Sequence, residues 1–168
     1  MKCYVYAKFS GGWAQEDSNN TANVMSHMAC EIMYAVCTVL CCSRLQRSIN
    51  LSTIEAEHVT LIQAIRELIP FMALMKEVSF IFDIHISNSE VFCKVFEDNQ
   101  IYIAVVESKP FSSRTKHIAI KYHHFQSFTQ NNMIWICYIN TREQKVDILT
   151  KPFYKELFIY IQGILSGL

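Results

Sequence analysis

Residues 52–69, STIEAEHVTLIQAIRELI, constrain this chain more than any other stretch: they read as a helix with a defined start and a face that must be buried. Ser52 followed by Glu55 is a capping box. The serine oxygen can take an orphan backbone N–H, and the glutamate can reach back to the cap. Leu61, Ile62, Ile65, Leu68 and Ile69 then recur at helical spacing, so one stripe has to pack against an apolar partner. Glu57 lies on the edge of that stripe, four residues before Leu61. A carboxylate there either snorkels to water or is held facing a site, and the helix alone leaves both readings open.

The 168 residues suffice for one domain, residues 1–168, with a proper core, and are too few for two comfortable ones. Half the residues are apolar and 18% are charged, a globular composition. Fifteen basic side chains balance fifteen acids, so a nucleic-acid role needs a local basic strip rather than a net field. Seven cysteines form no framework spacing, and the chain opens on a strand-like KCYVYAKF rather than a signal peptide. Reduced thiols and a cytoplasmic or nuclear location are expected. The longest apolar run, residues 32–42, is about half of the ~20 needed to span a bilayer, so no membrane partner is expected.

Along the chain, residues 2–9 alternate as a strand does, and residues 16–21 are a polar loop. Residues 22–42 fit a helical period and, by composition, also a buried strand. Residues 43–51 suggest a strand leading to the capping box. Pro70 is expected to kink or end the main helix, because it lacks a donor and clashes one turn back. Residues 79–86 and 90–97 read as strands and residues 101–106 as a short helix. Residues 114–130 read as an amphipathic helix, MIWICYI as a buried strand, and residues 153–165 as a final helix with Pro152 interrupting its start. Alternating elements of this kind predict a mixed α/β sheet flanked by helices.

Three acids then stand out. Glu57 is in the first turn or so of the main helix, Asp98 ends a strand where ligands gather in open α/β sheets, and Asp147 is near the start of the last helix. Carboxylates converging from separate elements suit Mg²⁺, and two such ions can stabilise both the attacking and the leaving oxygen of a phosphodiester cleavage.

The sequences around these acids are STIEAEH, EDNQ, FSSRTKHIAIKYHHF and REQKVDILTKPF. In order and spacing they resemble the ribonuclease H domain of copia-type LTR retrotransposon Pol polyproteins, where the patterns read roughly SSTEAEY, CDNQ, SRTKHIDIRYHF and EQLADILTKPL. The resemblance runs from about residue 43 to the C-terminus, with weaker cover of residues 2–21. It implies a ribonuclease H-like fold of about five strands in which four acids hold two Mg²⁺ ions at an RNA–DNA hybrid and cut its RNA strand. Carried over by position, Glu57, Asp98 and Asp147 are metal-binding and catalytic, and Arg114 and Lys116 contact phosphate without reading sequence. A reverse transcriptase domain supplied elsewhere is the implied protein partner.

The departure comes at the first strand. Where the Pol pattern reads roughly DADWAG, this chain has SGGWAQ, which puts Ser10 at the first aspartate. A hydroxyl is a neutral, weak Mg²⁺ ligand, so impaired catalysis is expected. Residues 22–42 also replace a glycine-containing hairpin with a Met- and Cys-rich run. Three readings follow: a hybrid-cleaving nuclease, a nuclease-dead relic that binds hybrid through Arg114, Lys116 and Lys121, or a structural remnant. Elsewhere the bland readings are preferred. Cys37, Cys41 and Cys42 are small hydrophobes rather than zinc ligands, His117 is structural, and His123 and His124 are helix surface. Trp13 and Trp135 are core, and Asp83 with His85 marks a strand's wet face.

Overall fold

The computed structural model describes residues 1–10, 21–84, 91–107, 133–150 and 154–166. Five strands form one mixed sheet in the order β3-β2-β1-β4-β5. Strand β1 (Lys2–Lys8) pairs antiparallel with β2 (His27–Tyr34), which pairs antiparallel with β3 (Cys37–Leu45). On its other side β1 runs parallel to β4 (Cys93–Glu97), with Cys3 opposite Val95, and β4 runs parallel to β5 (Ile134–Tyr138). Helix α1 (Thr21–Val24) is a single turn, α2 (Thr53–Ile81) is the long helix, α3 (Gln100–Glu107) follows β4, and α4 (Lys155–Ser166) closes the chain.

Alternation along β1 sorts the core into two layers. Cys3 and Val5 face α2 and pack with Cys30, Ile32, Val95 and the stripe Leu61, Ala64, Ile65, Leu68 and Met72. Tyr4 faces the opposite side with Ala29, Met33 and Val146. Fully buried Leu61 and Leu68 contribute about 1.5–3 kcal/mol each. The start of α2 is fixed by its cap: Ser52 Oγ accepts the Glu55 N–H at 3.1 Å, and Glu55 Oε2 accepts the Leu51 N–H at 2.8 Å. Below it, buried Gln46 donates to Ala56 O at 2.8 Å and to Thr60 Oγ1 at 2.9 Å, and Asn50 donates to the Gln46 side-chain oxygen. The turn that carries Glu57 is therefore tied on both sides.

Several elements settle the sequence reading or differ from it. Over residues 22–42, where the sequence left helix and strand open, the chain forms the end of α1 and then most of the β2–β3 hairpin; Ala35 takes a left-handed φ of 55° at its turn, a conformation glycine adopts without strain. Strand β3 ends at Leu45, so residues 43–51 are mostly the Gln46–Asn50 connector. Pro70 neither ends nor divides α2, because burial of Leu68 and Met72 on either side offsets the ~3 kcal/mol that an interior proline costs. Residues 79–84 are not a strand: helix continues to Ile81, Phe82 N–H bonds Val78 O, and Asp83 takes φ 49°, while residues 85–86 lie outside the described residues. Trp135 is 45% exposed and stacks on Phe92 at 5.5 Å, outside the core; Trp13, His85 and residues 114–130 lie outside the described residues.

By length and composition α2 could cross a membrane, with 29 residues and a window of mean hydropathy 1.2. Its apolar stripe is instead the inner face of the core.

Candidate functional site

Glu57 points from the first turns of α2 toward the end of β4, where Glu97 and Asp98 leave the sheet. One carboxylate oxygen from each of the three lies within 4.8 Å of the others. Among the described residues this is the one group of His, Cys, Asp or Glu close enough to share an ion. Glu97 is fully buried and Glu57 is 5% exposed, and each keeps an Oε2 with no hydrogen-bond partner.

The backbone holds the acids there. Glu97 Oε1 accepts the Asn99 N–H at 3.0 Å, and Asn99 Oδ1 accepts the Tyr102 N–H at 3.0 Å, which starts α3. Tyr102 is itself buried against α2, its hydroxyl 3.1 Å from His58 Nδ1. Strand end, turn and helix start thus form one braced corner beneath Asp98.

The electrostatics follow from crowding like charges away from water. Burial, with the negative charges of Glu97 and Asp98 added, pushes the Glu57 carboxyl up to about 10, against a pull from the Ala7 N–H that it accepts. Burial likewise pushes Glu97 up to about 8, opposed by the Asn99 amide and reinforced by Asp98. A cation would reverse both shifts, since it favours the charged carboxylates. The donor set is all oxygen, the preference of Mg²⁺ and its relatives, so the residues present fit a hard divalent ion.

The other residues singled out in the sequence fall elsewhere. Asp147 is not in the last helix but in a 3₁₀ turn, Lys145–Leu149, ahead of α4, and it is not one of the three clustered acids. That turn is pinned to the face of β1 opposite α2: Gln144 Nε2 donates to Val5 O at 2.8 Å, and Lys145 Nζ sits 5.5 Å from the Tyr4 ring. Ser10 follows β1 with a left-handed φ of 42°, its N–H 3.4 Å from Ser26 Oγ and its hydroxyl donating to Val24 O at 3.4 Å. The β1 residue whose amide reaches Glu57 is Ala7, three positions earlier. Arg114, Lys116 and Lys121 lie outside the described residues.

Relatives in sequence and in structure agree on what kind of domain this is. A scan against protein-family profiles finds no match. The chain is 29% identical over 116 residues to the retrovirus-related Pol polyprotein from transposon TNT 1-94 of Nicotiana tabacum, covering 69% of this chain. It is 28% identical to the corresponding polyprotein from transposon RE2 of Arabidopsis thaliana. In fold it is similar to LC11-RNase H1, solved in complex with RNA/DNA hybrid, at a TM-score of 0.58, with 12% identity and 88% of this chain and 91% of that one covered. The chain has a ribonuclease H-like fold and is similar in sequence to retrotransposon Pol polyproteins. RNase H1 from Halobacterium salinarum is similar too, with TM-score 0.54, 11% identity, and 88% and 92% of the two chains covered. The ribonuclease H-like domain spans only 8% of the length of the tobacco polyprotein.

Two features of the domain escaped the sequence reading. Glu97 read as an ordinary strand residue, although in EDNQ it directly precedes Asp98, and only its burial against Glu57 marks it. Arg44, Arg47 and Arg66 line a cavity of about 240 Å³ between the end of β3 and α2. They are scattered in sequence and form no basic run.

Proposed function

We propose that residues 1–168 form one domain, a retrotransposon-derived ribonuclease H that engages RNA–DNA hybrid and whose metal-dependent cleavage is impaired. The observation that carries the reading is the convergence on a ribonuclease H fold of Glu57 and Asp98, the acids singled out by the Pol resemblance, with one Glu57 oxygen buried and unpartnered. Glu57 and Asp98, with Asp147 from the 3₁₀ turn, are the residues that would hold Mg²⁺. Bound there, Mg²⁺ would supply an activated water and neutralise charge on the leaving oxygen. The chain's own part is to fix the carboxylates: the α2 cap fixes the helix start that carries Glu57, and the Asn99 N–H holds Glu97 beside Asp98.

Impairment is argued from β1. By the Pol resemblance, the fourth acid that would help hold a pair of Mg²⁺ ions belongs on the first strand. Here Ala7 offers a methyl and Ser10 a hydroxyl, so the pair lacks that anchor. Hybrid binding has a separate basis, in Arg114 and Lys116 and in the cavity rimmed by Arg44, Arg47 and Arg66. That cavity lies at the β2–β3 side of α2 and the acids at the β1–β4 side, roughly 10 Å across two strand spacings. A duplex can touch both at once.

Cleavage of end-labelled RNA–DNA hybrid in Mg²⁺ tests this, with the wild type, Ala7→Asp, Ser10→Asp and each of these combined with Asp98→Asn. Slow or absent cleavage by the wild type, hybrid binding that weakens with salt, and cleavage gained in Ala7→Asp but lost on adding Asp98→Asn are the expected results. Gain only in Ser10→Asp would place the missing anchor at the turn instead. Failure to bind hybrid at low salt would refute the reading.

A further inference from the structure

We infer that Glu97 is a metal ligand, the third carboxylate of a site that holds one divalent cation of the Mg²⁺ class between Glu57, Glu97 and Asp98. The inference rests on the site proposed above but adds a residue to it and halves its ion count. Glu97 is the last residue of β4, fully buried, and its side chain turns toward Glu57 rather than toward water. Its two oxygens differ: Oε1 is held by the Asn99 N–H, while Oε2 has no partner.

An unpaired buried carboxylate oxygen costs roughly 1–3 kcal/mol; Glu31 also keeps one, but among the described residues only Glu57 and Glu97 keep theirs within a three-acid group. Glu57 Oε2 is in the same condition on the facing helix. One carboxylate oxygen from each of Glu57, Glu97 and Asp98 lies within 4.8 Å of the others, close enough for a single ion to draw them into one shell. With bonds of 2.0–2.1 Å, opposite ligands of Mg²⁺ stand about 4.2 Å apart and adjacent ones about 3 Å apart. A second ion would need further oxygens that this group lacks, and β1 offers Ala7 where a carboxylate would be required. Glu97 thus restores the charge count that the first strand lost, for one ion and not for two.

Mn²⁺ is the probe: its paramagnetic signal disappears on binding, and direct titration gives affinity and stoichiometry without any turnover. The wild type is expected to bind one Mn²⁺, and Glu97→Gln and Asp98→Asn each to bind at least tenfold more weakly. Melting with and without Mn²⁺ reads the same site, with a rise for the wild type and none for Glu97→Gln. If Glu97→Gln fails to fold, Glu97→Cys, which carries the residue of the CDNQ pattern, is read in its place. Binding by the Glu97 variant within twofold of wild type while Asp98→Asn loses it would overturn the role of Glu97 and leave the proposed site standing. Two ions per wild-type chain would overturn the single-ion site. No Mn²⁺ binding by the wild type would overturn both.

Discussion

Replacing Glu57 by glutamine should make the protein more stable, by an amount that depends on pH. The folded state holds the Glu57 proton far more tightly than the unfolded chain, whose carboxyl titrates near 4.5. The raised value means that the side chain leaves stability intact below about pH 4.5 and erodes it progressively as pH rises toward about 10. At about 1.4 kcal/mol per pH unit, the cost is under about 1 kcal/mol at pH 5 and about 3 kcal/mol at pH 7. Glutamine keeps the shape, can still accept the Ala7 N–H, and can donate to a neighbouring carboxylate, so most of that cost is recovered. For a chain of this size each kcal/mol is worth roughly 2–4 °C. Thermal melts in a chelating buffer should therefore show Glu57→Gln nearly level with wild type at pH 5 and roughly 5–10 °C above it at pH 7. Excess Mn²⁺ should close the gap by stabilising only the wild type. A gain of the same size at both pH values, or a mutant that melts lower at pH 7 without metal, would refute the reasoning.

Pro70→Ala should stabilise α2 by roughly 1–3 kcal/mol, since it restores a helix donor in the interior, and chemical denaturation would measure it. A double change, Arg47→Ala with Arg66→Ala, should weaken hybrid binding and lower the slope of log K against log salt by about 2, because each lost phosphate contact removes about one released ion; an unchanged slope would remove the arginine cavity from the interface. Cys42 sits opposite Cys30 across β2 and β3, and the Cys30 thiol donating to it, with Arg44 nearby, pulls it down to about 6 despite partial burial. Iodoacetamide at pH 7 should alkylate Cys42 ahead of exposed Cys37 in the wild type and lose that preference in Cys30→Ala, as mass spectrometry would show.

Much of the framework was legible because the signals were local. The capping box at Ser52 and Glu55 forms, with Glu55 reaching the Leu51 amide one residue beyond the usual cap. MIWICYI yields β5, and the short run after Asn99 yields α3. Where the reading stayed open or failed, tertiary packing decided the outcome. Residues 22–42 carry an apolar pattern that suits either period, and pairing with β1 through Cys30 and Ile32 decides it. Residues 79–84 are rich in β-formers, yet α2 simply continues to Ile81 and residues 79–84 join no described strand. At the site, the Pol-like patterns singled out Glu57 and Asp98, which the fold brings together. Nothing local could show that Ala7 rather than Ser10 would touch Glu57, because that depends on where β1 stops pairing with β4.

The parallel pairing of β1 with β4 joins positions some 90 residues apart, Cys3 and Val95 among them. The hairpins of β1, β2 and β3 and the winding of α2 can all precede it, since each closes a much shorter loop. Glu57 meets Glu97 and Asp98 only when β4 slots in, so the acids oppose a later seam of assembly and not the first collapse. A divalent ion added during refolding should then speed that later closure while leaving the earlier, hairpin-forming events untouched.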